Sequence, residues 1–230
     1  MAYRKTSFAP NEWYHCYTRS IDSQKTFRSR ADYERFQEAL YLCNGTVAIE
    51  RGAIYQPSHA DFFTMDRGEP IVAVGAYCLM PNHFHLLLQE ATDGGISRFM
   101  QRLGTSFSKY FNIKYDRVGN VFIKPFRSKH IRDDRYLKRA FQYIHLNPAE
   151  LTEPKWKTGE IRNSQTLKHF VQTYEYSSLP DYSGVRRNEG FLLDKKMKEV
   201  FDDTPSLKEM LADATAYYAS LEASLEASLR

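Results

Sequence analysis

Apolar and polar positions alternate with two different periods along the first two thirds of the chain. Residues 13–19 alternate bulky and polar side chains with the period of two that marks a half-buried strand, which places His15, Tyr17 and Arg19 on one face. Tyr33, Phe36, Leu40 and Tyr41 recur at helical spacing and predict a helix over 31–42, with Asp32 well placed in its first turn. Residues 45–70 are irregular, with room for one strand over 47–55 and a long loop. Residues 71–80 are β-branched and aromatic, as in a buried strand, and Pro81-Asn82 is a turn signal before a second strand over 83–89. Ile96, Phe99, Met100, Leu103, Phe107, Tyr110 and Phe111 then follow the 3.6 period and predict a long amphipathic helix.

The pattern continues less sharply. Residues 118–131 have strand or hairpin character around Gly119-Asn120. Asp133 and Asp134 open a further helix that must stop near Asn147, because Pro148 disfavours helical geometry in the residue before it. Beyond it, 167–174 reads as a short helix, 176–184 as turns, and 206–230 as helical, closing on a repeated Leu-Glu-Ala-Ser. The chain suits one domain over 1–150 with an extension over 151–230 that packs partly on it, or two small domains.

Composition narrows the class. With 42% hydrophobic and 26% charged residues, the 230-residue chain is of ordinary globular type and long enough for a sizeable core. Its three cysteines are widely spaced with no CxxC pair, which argues against a disulfide framework or a cysteine zinc site. No apolar run approaches the length of a membrane span and the first ten residues lack the apolar core of a signal peptide, so a cytoplasmic protein is expected. The net charge is only +4, yet residues 98–139 hold twelve Lys or Arg against three Asp, a local +9 interleaved with aromatic residues. Such concentrated charge reads either as a solvated surface or as a face for a phosphate backbone. Arg98, Arg102, Lys109, Lys124, Arg127, Lys129 and Arg132 are its candidate DNA-binding residues.

Two short stretches carry candidate chemistry. In His83-Phe84-His85 the two imidazoles share one strand face, which is either a polar solvent face or half of a metal site. In Tyr143-Ile144-His145-Leu146-Asn147-Pro148, Tyr143 and Asn147 are four apart and share a helix face, whereas His145 points elsewhere. Asn147 reads either as an amide ligand or as an ordinary helix C-terminal residue, and Tyr143 either as a reactive phenol or as a core edge. The roles of His15, Arg19 and His130 stay open at this point.

Taken together these stretches resemble the HUH-type single-tyrosine transposases, in particular the REP-associated tyrosine transposases and their insertion-sequence relatives. The matching pieces are Tyr14-His15 with Arg19, Met80-Pro81-Asn82-His83-Phe84-His85-Leu86-Leu87, Tyr110-Phe111-Asn112 followed by Gly119 and Phe122, and Tyr143 to Pro148. Tyr176-Ser177-Ser178 and Tyr182-Ser183-Gly184 match more loosely. The segment between Pro148 and Tyr174 is longer than the family pattern, and the tail beyond Gly190 has no counterpart in it. The resemblance implies an α+β, ferredoxin-like or RRM-like antiparallel sheet with helices packed on one face, plus a mostly helical C-terminal extension. It implies Tyr143 as nucleophile and His83, His85 and Asn147 as ligands of Mg²⁺ or Mn²⁺. The implied activity is metal-dependent cleavage and rejoining of single-stranded DNA next to hairpins through a 5′-phosphotyrosine, by a monomer or a homodimer. The alternatives are a domesticated hairpin-binding protein with little or no cleavage and a phosphodiesterase that uses water.

Overall fold

A computed structural model of the chain describes residues 7–49, 51–200 and 205–228. The main elements run β1 (Trp13–Arg19), α1 (Arg30–Leu42), β2 (Val72–Met80), β3 (His83–Glu90), α2 (Gly95–Lys114), β4 (Arg127–Ile131) and α3 (Asp134–Leu146). The extension adds α4 (Ser164–Thr173), α5 (Leu179–Tyr182), α6 (Lys195–Val200) and α7 (Leu207–Ser228). The strands form one antiparallel sheet in the order β2-β3-β1-β4. With α1 and α2 as the two crossings, this is the β-α-β-β-α-β ferredoxin-like arrangement.

Local chemistry accounts for the main elements. Ser29 and Asp32 form a capping box at the start of α1. Pro81-Asn82 turns β2 directly into β3, so that Met80 pairs with His83. A bulge between Val74 and Ala76 shifts the alternation in β2. Val72 and Val74 before it, and Tyr77 and Leu79 after it, thereby enter one core, while Ala76, Cys78 and Met80 enter the other. A Cβ added at Gly75 would lie 2.8 Å from the Trp13 ring, so the bulge needs glycine there.

Each sheet face carries its own apolar layer. On one, Phe36 and Leu40 of α1 and Phe99, Leu103 and Phe107 of α2 meet Tyr14, Cys16, Phe84, Leu86 and Leu88. Burying each large side chain of this kind contributes about 1.5–3 kcal/mol. α1 and α2 therefore share one face, as expected. The opposite face is not left to solvent: α3 lies across it, with Phe141 and Ile144 on Ala76, Cys78, Leu87 and Ile131. Trp156, Leu167, Val171, Met210 and Leu211 of the extension complete that layer. Among the described residues no helix is long and apolar enough to cross a membrane.

Two expected strands are absent among the described residues. The segment expected as a strand over 47–55 forms bends and a short 3-10 turn, Arg51–Ala53, because the backbone of Thr46 and Val47 is held by the carbonyls of Glu69 and Arg67 rather than by a strand. The expected hairpin around Gly119-Asn120 is reduced to a single bridge, Ser20 to Phe122, before β4. Val121 and Phe122 turn into the core there, and Pro125 lacks the donor needed to continue a ladder. The C-terminal Leu-Glu-Ala-Ser repeat lies outside the described side chains.

Candidate active site

Strand alternation sets the first half of the site. On β3, Phe84, Leu86 and Leu88 enter the α1–α2 core, so His83, His85 and Leu87 face α3. On the neighbouring β1, Tyr17 pairs with His85 and Arg19 with His83, and His15 lies on the same face. The His83 and His85 ring centroids are 5.1 Å apart. Nδ1 of His83 lies 2.7 Å from Oδ1 of Asn82, and Nδ1 of His85 lies 2.8 Å from Nε2 of His15. With protons on both Nδ1 atoms, each ring would turn an Nε2 lone pair away from those bonds.

The second half comes from α3. Asp133 caps its start by accepting from the Tyr136 N–H, and the helix passes into a 3-10 turn, Asn147–Leu151, at Pro148. One helical turn apart, Tyr143 and Asn147 both face the histidine strand. The Tyr143 ring meets His85 edge-on at 5.3 Å and His15 at 5.7 Å. Asn147 is buried beside His83, and its Nδ2 donates to the Tyr143 carbonyl at 2.7 Å. His145 turns the other way, into the core, and bonds Ser178 Oγ at 2.7 Å. The structure thus brings His83, His85, Tyr143 and Asn147 together.

The electrostatics favour neutral imidazoles. Burial, reinforced by Arg19, lowers His83 to about 4. Burial and then Lys129 lower His15 to about 4, and burial with the neighbouring His15 holds His85 well below the ordinary value. Burial first, and Glu150 second, raise the Tyr143 phenol, so it is protonated at neutral pH, while Arg19 opposes that rise. Among the described residues no three His, Cys, Asp or Glu side chains converge as a metal-holding group. Two neutral imidazoles with an adjacent amide are nevertheless a donor set that fits a small divalent cation, with positions left for water or a phosphate oxygen.

An open cleft of about 1290 Å³ runs from His15, His85 and Tyr143 along α3 to α7. The seven candidate DNA-binding residues divide around it. Lys129 lines the cleft, and Arg127 lies on the same strand two residues away. Lys124 and Arg132 are exposed on either side of β4. Arg98, Arg102 and Lys109 border a separate groove on α2, across the sheet from Tyr143. Arg98 and Arg102 also hold the carbonyls of Asp93 and Gly45 there. Sequence reasoning passes over Lys157, whose charge acts on both histidines and which pairs with Glu150 beside Tyr143. It leaves His15 open, although the phase of β1 already puts that ring on the site face. His130 sits on the other phase and bonds Glu12 at 2.8 Å.

Comparison with the curated proteins finds no match. Among solved structures the chain is similar to a REP-associated tyrosine transposase bound to a REP hairpin, at 14% identity and a TM-score of 0.49, over 82% of this chain and 90% of that one. Residues 68–147 match the family model described as "Transposase IS200 like". This segment runs from just before β2 through both histidines and Tyr143 to Asn147, and over it the chain is similar to the IS200-like transposases.

Proposed function

We propose that the protein is a metal-dependent DNA strand-transferase that cleaves and rejoins single-stranded DNA next to hairpins, with Tyr143 as the nucleophile. The observation that carries this reading is the edge-on approach of the Tyr143 ring to His85 at 5.3 Å, with Asn147 beside His83 one helical turn further on. A pure hairpin binder needs no such conjunction. The similarity of the same segment to IS200-like transposases supports a DNA-processing role.

The reaction would run as follows. Tyr143 Oη bonds to the scissile phosphorus while the bond from phosphorus to the 3′-oxygen breaks. The phenolic proton leaves to water in the open cleft, and the departing 3′-oxygen takes one up. The products are a 5′-phosphotyrosine and a free 3′-hydroxyl, and attack by another 3′-hydroxyl reverses the exchange without loss of the phosphodiester bond energy. Arg19, which already opposes the rise of the phenol, would favour its ionisation as the bond forms. Bound Mg²⁺ or Mn²⁺, held by His83, His85 and Asn147, would withdraw charge from the scissile phosphate. Lys129 and Lys157, both lining the cleft, would hold the flanking backbone.

The test is incubation with hairpin-bearing single-stranded DNA and Mn²⁺, followed by a search for a denaturation-resistant protein–DNA adduct. The expected result is an adduct that Tyr143→Phe does not form. An adduct persisting in Tyr143→Phe overturns the assignment. Cleavage without any adduct favours hydrolysis by water, and hairpin binding with neither favours the domesticated binder.

A further inference from the structure

We infer that the cleft wall built by α3 and α7 is a base-stacking platform for single-stranded DNA, an inference that rests on the strand-transfer reading of Tyr143. The C-terminal extension therefore forms part of the substrate site. The apolar positions of α7 hold it there: Leu207, Met210 and Leu211 are buried in the layer that also covers the sheet beside α3. Gln142 of α3 bridges to Asp213 at 3.4 Å. One stripe of α7 is thus pinned down, and Asp213 and Tyr217 line the cleft.

Two tyrosines line this wall, Tyr136 from α3 and Tyr217 from α7, each 38% exposed. Both rings are paired with a cation. The Lys129 ammonium lies 5.2 Å from the Tyr136 centroid, and the Arg139 guanidinium lies 4.9 Å from that of Tyr217. An aromatic ring presented to a cleft beside a positive charge suits a nucleotide, whose base stacks on the ring while its phosphate meets the cation. The cleft lining supplies five Lys or Arg against Asp134 and Asp213, a polyanion's complement. The bases of a duplex are already stacked on one another, so the partner that uses both ring and charge is a single strand.

The experiment is fluorescence anisotropy of a labelled oligothymidylate on the full-length chain without added metal, with a duplex of equal length as control. Tyr217→Ala and Tyr136→Ala are each expected to weaken single-strand binding about 5- to 150-fold, the range for loss of one stacked base. Tyr217→Phe, which keeps the ring, is expected to stay within about twofold of the parent, and duplex binding is expected to be unchanged by all three. Unchanged oligothymidylate binding by both alanine variants overturns the platform, as does an equal loss in Tyr217→Phe and Tyr217→Ala. An adduct on Tyr143 with no effect of either alanine substitution overturns the platform alone. Weakened binding in the alanine variants with no adduct on any hairpin substrate supports the platform and overturns the strand-transfer reading.

Discussion

Nε2 of His15 lies 2.8 Å from Nδ1 of His85, so a buried imidazole of β1 is hydrogen-bonded to the imidazole that meets Tyr143. This bond fixes the orientation of the His85 ring in the way that outer-sphere partners fix metal-ligating histidines. His15→Ala is expected to weaken Mn²⁺ binding about 10- to 100-fold, read by the free Mn²⁺ paramagnetic resonance signal during titration. Parent-like affinity in this variant would remove His15 from the site.

Asn147 offers a separable test. Its Nδ2 is committed to the Tyr143 carbonyl, which leaves the amide oxygen for His83 or a cation. Asn147→Ala is expected to lower adduct yield at limiting Mn²⁺ and to recover most of it when Mn²⁺ is raised. A loss that excess metal does not repair would assign Asn147 to shaping the end of α3 instead.

Asp32 joins α1 to α2 through several bonds to one buried carboxylate. It accepts from Tyr110 at 2.8 Å and from Tyr115 and Lys114 at 2.7 Å, beside the α1 cap. Burial pushes this carboxyl up, but the bonds from Lys114, Tyr115 and Tyr110 outweigh burial and hold it at about 2. A depressed carboxylate stabilises the fold above its unfolded value and ceases to do so as pH falls from about 4 toward 2. Asp32→Asn is expected to cost about 2 kcal/mol at neutral pH and to flatten the acid limb of a Tm-against-pH curve.

His59 has the opposite sign. It bridges Glu38 of α1 and Glu189 of the extension, at 3.2 Å to each. Burial lowers this imidazole, but the bonds it donates to Glu189 and Glu38 outweigh burial and raise it to about 9. Its contribution is therefore complete below about 6.5 and is lost as pH rises through about 9. His59→Gln is expected to lower Tm by about 2–4 °C at pH 6 and to leave it unchanged at pH 10. A constant difference across that range would exclude the bridge as its cause.

The sequence discloses those parts of the molecule whose causes are local. The period of two in His83-Phe84-His85 and the four-residue spacing of Tyr143 and Asn147 already determine which faces those side chains occupy, and the sheet only has to bring the faces together. Pro148 ends α3 where the backbone geometry requires it. Residues 47–55 mislead because the backbone of Thr46 and Val47 bonds to the distant carbonyls of Glu69 and Arg67, and residues 118–126 because Val121 and Phe122 pack into the α1–α2 core. Nothing near Tyr143 in sequence announces Lys157 or α7. Both reach the cleft through the packing of Trp156, Met210 and Leu211, which is a tertiary matter.

The position of β1 at the heart of the sheet has a consequence for biosynthesis. Its two neighbours are β3 and β4, so the first strand made is flanked by the second-last and last strands of the sheet. During translation His15 emerges before its partner His85 exists, and Tyr143 follows on the order of ten seconds later at common elongation rates. No truncated nascent chain that stops before α3 can hold a reactive centre. Strand-transfer chemistry would therefore switch on only once the ribosome has passed Asn147, with all four strands and α3 delivered.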